Sequence, residues 1–146
     1  MEITRHFTAT TFVVYKNRTL LHMHRNLGMW LPPGGHIDRD ELPHIAAVRE
    51  VLEETGLEVQ IVHDKPRIFS DNAKEIPAPR HLLLENINPF HQHIDMIYFA
   101  RATSLDYQPH HGESLELKWF SLEDLEADEI ESDIRLLGEE AINALG

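Results

Sequence analysis

The sequence predicts a mixed α/β domain in which a β-sheet is packed between helices. Three observations predict it. Runs rich in Thr, Val and aromatic residues recur, as in FTATTFVVY at 7–15 and HIDMIYFAR at 93–101. One helical segment interrupts them near Pro43. A second, near the C-terminal end, carries Ile134, Leu137, Ala141, Ile142 and Leu145 at helical spacing. Nothing repeats at a fixed period and no linker divides the 146 residues, so a single domain over 1–146 is expected.

Phe7 to Tyr15 reads as a strand, Lys16-Asn17-Arg18 as a turn and Thr19 to His24 as a second strand, which makes a hairpin. Its alternation is imperfect, as expected when both faces of a sheet are covered. Arg25 to Trp30 is a connection. Leu31-Pro32-Pro33-Gly34-Gly35 is expected to form a fixed loop, because Pro restricts the backbone and Gly releases it. The helix starts at Pro43, whose missing N–H costs nothing at the first helical position, and stops at Gly56, which can turn left-handed. At about 100° per residue, Ile45, Val48, Leu52 and Thr55 gather on one side. Leu42 stands at the N-cap, where Ser, Thr or Asp is usual. Asp40 is one substitute cap, and tertiary contacts are the alternative. Beyond the helix, EVQIV and PRIF read as strand pieces and Ser70 to Pro79 as a surface loop. His81 to Ile87 reads as a strand, Asn88-Pro89-Phe90 as a turn and His93 to Arg101 as the next strand. A second loop covers Ala102 to Glu113, and Leu115 to Phe120 closes the sheet. Ser121 with Asp124 resembles a capping box, so a short helix is expected there.

Composition narrows the function. The net charge of −12 argues against a nonspecific grip on duplex nucleic acid. An anionic small substrate remains compatible if metal cations intervene. The absence of cysteine excludes disulfides and thiolate metal sites, and suits a reducing, cytoplasmic setting. No apolar run reaches the length of a membrane span, and the opening MEITRHFTAT has no signal-peptide core.

The chemistry concentrates in GHIDRDELPHIAAVREVLEETGL, residues 35–57. Glu50, Glu53 and Glu54 fall within an arc of roughly 100° on the helix. Like charges at that spacing repel one another. A hard divalent cation bound by oxygen ligands would remove the conflict. The spacing of Gly35, Glu41, Arg49, Glu50, Val51, Glu53, Glu54, Gly56 and Leu57 resembles the Nudix (MutT-type) hydrolase box, with every fixed position filled. The resemblance implies an α/β/α sandwich with a mixed sheet. It implies hydrolysis of a diphosphate bond, usually in a nucleoside diphosphate linked to another group. Its implied cofactor is Mg²⁺, with Mn²⁺ as an alternative, held by Glu50, Glu53, Glu54 and the Gly35 carbonyl. The expected partner is a small nucleotide; a homodimer is left open. Water would attack phosphorus, with charge on the phosphate oxygens neutralised by metal.

Around this centre, Arg49 is expected to orient a glutamate rather than touch phosphate, and Glu41 to support the site from outside it. Family members place the catalytic base either in the box or in a later loop, which here nominates Glu50 or Glu113, with Glu116 a weaker choice. His91, His93 and Asp95 alternate and share one face of an extended segment. Two His and an Asp can bind Zn²⁺ or Fe²⁺, line a phosphate pocket, or form a polar strand entrance. His22 and His24 alternate likewise and read as sheet-face residues. His110-His111 reads as a solvated pair. Arg80 and Arg67 are candidate phosphate contacts, since guanidinium matches phosphate geometry. Trp30, Phe7, Phe69 and Tyr98 are candidates to stack on a base, or ordinary core. The leading expectation is a Mg²⁺-dependent pyrophosphohydrolase of nucleoside di- or triphosphates. The rivals are an ADP-ribose or nucleotide-sugar pyrophosphatase and a non-catalytic nucleotide-binding sensor.

Overall fold

The computed structural model describes residues 2–104 and 116–146. The elements run β1 (Thr4–Tyr15), β2 (Arg18–His24), β3 (Met29–Leu31), β4 (Gly34–His36), α1 (Pro43–Thr55), β5 (Val59–Ile61), β6 (His81–Asn88), β7 (His91–Ala102), β8 (Glu116–Ser121), a 3-10 turn (Asp124–Glu126) and α2 (Ser132–Leu145). The strands form a mixed sheet in the order β3-β2-β1-β7-β5, with β4 on β1, β6 on β7 and β8 on β2. β1 and β7 pair in parallel from Thr4↔His91 to Val14↔Arg101. The other pairs are antiparallel.

Strand alternation sends neighbouring residues to opposite layers. Phe12, Val14, Leu21, Ile97 and Phe99 pack with Ile134, Leu137, Ala141 and Ile142 of α2. Their neighbours Val13, Leu20 and Ala100 pack with Val51 of α1, and Ala9 and Tyr98 pack with Ala46 and Ala47. The result is the expected α/β/α sandwich. Coverage of both faces is why β1 and β2 show no polar face in sequence. Among the described residues, no helix is long and apolar enough to cross a membrane.

Several expectations need correction. α1 buries Ala46, Ala47, Val51 and Thr55, while Ile45 and Leu52 are exposed. Two adjacent alanines let the helix lie close on the sheet, and this outweighs the larger side chains that defined the expected face. Its N-cap, Leu42, makes no side-chain cap, so neither it nor Asp40 satisfies the first turn in that way. Gly56 does close the helix, at φ 77°, donating its N–H to the Leu52 carbonyl. The loop before the box is in part a strand, because Gly34 and Gly35 allow β4 to lie tightly on β1. A Cβ at Gly34 would stand 2.7 Å from the Ala9 carbonyl oxygen. Within the expected 25–30 connection, Met29 and Trp30 belong to β3. PRIF forms no strand: Glu75 accepts from the backbone N–H of Arg67 at 2.7 Å, so the segment folds onto its own loop. Ser121 and Asp124 do exchange capping bonds at 3.0 and 3.2 Å, but they open only the three-residue 3-10 turn.

Candidate active site

The last turns of α1 face β4, and the box residues meet there. Gly35 has no side chain, and the Glu50 carboxylate fills that space: a Cβ at position 35 would lie 2.5 Å from Glu50 Oε1. Glu54 accepts from the Gly34 N–H at 3.3 Å and lies 3.8 Å from His22 Nε2. Arg49 joins the rest. Its Nε donates to Glu41 Oε2 at 2.8 Å and one terminal nitrogen to Glu41 Oε1 at 2.9 Å, a forked pair. The other terminal nitrogen donates to Glu50 Oε1 at 3.0 Å and to Glu53 Oε2 at 3.2 Å. Arg49 also donates to the His36 carbonyl at 3.0 Å, tying α1 to β4. The Arg49 bond holds the Glu41 carboxyl below the usual carboxylate range. The hydrogen bonds that Arg49 donates to Glu41 raise its guanidinium further above its ordinary range, so the cation is permanent.

This arrangement fits a hard divalent cation. The carboxylates it brings together are hard oxygen donors, and the absent Cβ of Gly35 lets the Glu50 carboxylate sit against the backbone. Arg49 offsets part of the charge on Glu50 and Glu53, and Glu54 sits against the Gly34 N–H and His22.

A cleft of about 690 Å³ opens beside the box. Gly34, Gly35 and Glu54 line it, as do His22, His24, Thr8, Thr10, His93 and Asp95 from the sheet. Glu85, Glu131 and Asp133 line it too. Asp95 is buried and accepts from Thr8 Oγ1 at 2.9 Å and from Thr10 Oγ1 at 2.8 Å. Burial, then a hydrogen bond shared with Asp95, push the Glu85 carboxyl up to about 8. Burial, then the nearby His24, lower His22, which favours its neutral form.

The remaining sequence candidates separate. His93 and Asp95 line the cleft, whereas His91 turns to His6, His36 and His93. Burial and the neighbouring His36 lower His93. Arg80 stacks its guanidinium 5.2 Å from the Phe99 ring centroid and is not among the cleft-lining residues. Trp30 and Tyr98 are core, while Phe69 is exposed in the loop. Glu116 is exposed at the start of β8. Glu113 and His110-His111 lie outside the described residues. Sequence reasoning missed Glu85, Asp133, Thr8 and Thr10. The Thr-x-Thr alternation of β1 was a signal for the last two, since both point to one face.

Known proteins share this framework. The NUDIX domain family matches residues 4–138. The crystal structure of a NUDIX-family hydrolase from Clostridium perfringens is 38% identical, with a TM-score of 0.88 over 99% of this chain and 100% of that one. A Bacillus subtilis (strain 168) protein provisionally named 8-oxo-dGTP diphosphatase is 36% identical over 73 residues, 44% of this chain and 48% of that protein. The m7GpppN-mRNA hydrolase NUDT17 of Danio rerio is 59% identical over 29 residues, 20% of this chain and 10% of that protein. The chain thus spans about a tenth and about half of the lengths of these two curated relatives. The match over 4–138, the full-length likeness to the Clostridium perfringens hydrolase and a box folded around Gly35 agree: the chain belongs to the Nudix family of hydrolases.

Proposed function

We propose that the chain is a Mg²⁺-dependent pyrophosphohydrolase that cleaves nucleoside di- or triphosphates, or related nucleoside-diphosphate derivatives, by attack of water at phosphorus. The observation that supports it best is the meeting of Glu50, Glu54 and Gly35 at one edge of a nucleotide-sized cleft. Glu50, Glu53, Glu54 and the Gly35 carbonyl would hold the cation, with Mn²⁺ able to replace Mg²⁺. Bound there, the cation supplies neutralisation of phosphate charge and a lowered pKa for bound water. Arg49 holds Glu50 and Glu53 in place, and Glu41 fixes Arg49 from behind. Glu50, or Glu113 from later in the sequence, takes the proton from the attacking water. Within the cleft, Glu85, Asp95 and Asp133 offer carboxyl groups suited to the N–H edge of a base. A small nucleotide substrate places the working enzyme with the cytoplasmic nucleotide pool.

A panel of nucleotides assayed with Mg²⁺ tests this. The name of the Bacillus subtilis relative makes 8-oxo-dGTP a first choice for the panel. A triphosphate should yield a monophosphate and pyrophosphate, and ¹⁸O from labelled water should appear in a phosphate-containing product. Glu53→Gln and Glu54→Gln should each lower turnover by about 100-fold or more while the fold persists. No turnover on any member would favour a nucleotide-binding module instead, and label only in a nucleoside or sugar hydroxyl would overturn attack at phosphorus.

A further inference from the structure

Four imidazoles meet at one end of the sheet, in a cluster that includes none of the carboxylates of α1. His6 comes from β1, His36 from β4, and His91 and His93 from β7. One nitrogen from each lies within 4.8 Å of the others. Sheet register builds the cluster: His6 pairs with His93 across the parallel β1–β7 ladder, and His36 sits opposite Thr8 two residues along β1. Side chains two apart on a strand share a face, so all four rings emerge together.

We propose that His6, His36, His91 and His93 form a binding site for a late first-row divalent cation of the Zn²⁺ class. The donor set selects the metal. Neutral imidazole suits Zn²⁺, Ni²⁺, Cu²⁺ and Fe²⁺, whereas Mg²⁺ takes oxygen ligands and is left to the carboxylates. The spacing is close to what such an ion needs. With Zn–N bonds of about 2.0–2.1 Å, tetrahedral geometry sets ligand nitrogens about 3.3 Å apart. His6 Nδ1 and His36 Nε2 already stand 3.3 Å apart. His6 and His36 are exposed and His91 and His93 half-buried, which leaves the rings room to turn toward a shared ion.

A supporting contact suits one tautomer. Thr4 Oγ1 lies 2.9 Å from His91 Nδ1 and 3.3 Å from the Phe90 carbonyl oxygen. With His91 protonated at Nδ1, the hydroxyl accepts from Nδ1–H, donates to the Phe90 carbonyl, and leaves the Nε2 lone pair for a metal. Ligating histidines commonly hold their second nitrogen in this way. The ion would clamp β1, β4 and β7 together at the margin of the cleft, which His36 and His93 also line, and its binding does not rest on the activity proposed above.

Metal-stripped protein should be dialysed against Zn²⁺ in excess Mg²⁺, which occupies the carboxylates. We expect one Zn²⁺ per chain. His6→Asn and His36→Asn, both at exposed positions on different strands, should each weaken it at least about tenfold. Glu53→Gln should retain it. Co²⁺ in place of Zn²⁺ should show the intense visible bands of a tetrahedral site in the parent and lose them in both His variants. A hundredfold excess of Zn²⁺ over the parent's Kd should raise the thermal midpoint of the parent by about 5 °C or more, and those of the His variants by about half as much or less. No retention of Zn²⁺, retention undiminished in both His variants, or loss in Glu53→Gln would each overturn the proposal.

Discussion

Gly35 and Glu50 are in contact through the space where a side chain would normally stand: a Cβ at position 35 would lie 2.5 Å from Glu50 Oε1 and 2.6 Å from its Cδ. The neighbouring Gly34 is confined differently, by the Ala9 carbonyl oxygen at 2.7 Å and Thr10 Cα at 2.9 Å. One glycine therefore makes room for a movable carboxylate and the other for a fixed backbone.

The two substitutions should separate function from stability. In Gly35→Ala the tip of a flexible side chain can swing away, so the thermal midpoint should barely move. The displaced Glu50 should cost about 100-fold or more in turnover. Gly34→Ala pushes against a strand that cannot yield, and should destabilise the fold by about 2 kcal/mol. Thermal melts beside a turnover assay check both, and a fully active Gly35→Ala would show that the carboxylate position does not matter.

Arg49 should not be replaceable by lysine. Its fork spans both oxygens of Glu41 while its other terminal nitrogen holds Glu50 and Glu53. A single ammonium cannot reproduce that geometry. Arg49→Lys should lower turnover by about tenfold or more with little change in KM, since the residue positions acids rather than holding phosphate. A large rise in KM at unchanged turnover would instead place Arg49 on the substrate.

Glu85 should leave a signature in the pH dependence of stability. Its carboxyl is pushed from an ordinary 4.5 up to about 8, first by burial and then by its hydrogen bond with Asp95 and the charges of Asp95 and Asp133. Between those values the folded chain binds a proton that the unfolded chain does not, so this contribution is complete below 4.5 and is lost as pH rises through about 8. The parent should therefore lose more thermal stability than Glu85→Gln between about pH 6 and about pH 9. Equal slopes in melts at the two pH values would show that the carboxyl titrates normally. Partial solvent access reduces the size of the effect without changing its sign.

The parts that were legible in sequence are those set by local chemistry. Pro43 and Gly56 bound α1, and Ile134 to Leu145 define the buried stripe of α2. The box was legible because its acids and Arg49 lie on one helix at fixed spacing. What escaped was built by pairing between distant segments. His6 and His36 acquire meaning only when β7 brings His91 and His93 beside them. Glu85 becomes a cleft residue only because β6 pairs with β7, opposite His93. The exposed Ile45 of α1 misled for a related reason: apolar size was visible, but the closeness of helix to sheet that favours Ala46 and Ala47 was not.

The parallel pairing of β1 with β7 has a consequence for how the chain folds. Thr4 and His91 are 87 residues apart in sequence yet neighbours in the ladder. Closing so long a loop must precede most of the energetic return, so refolding should be slow, on the order of milliseconds to seconds, despite the small size. During synthesis the hairpin of β1 and β2 emerges early, but the strand that flanks β1 on its other side comes much later. Until then β1 presents an apolar edge, which is the natural target for a chaperone or for another nascent copy.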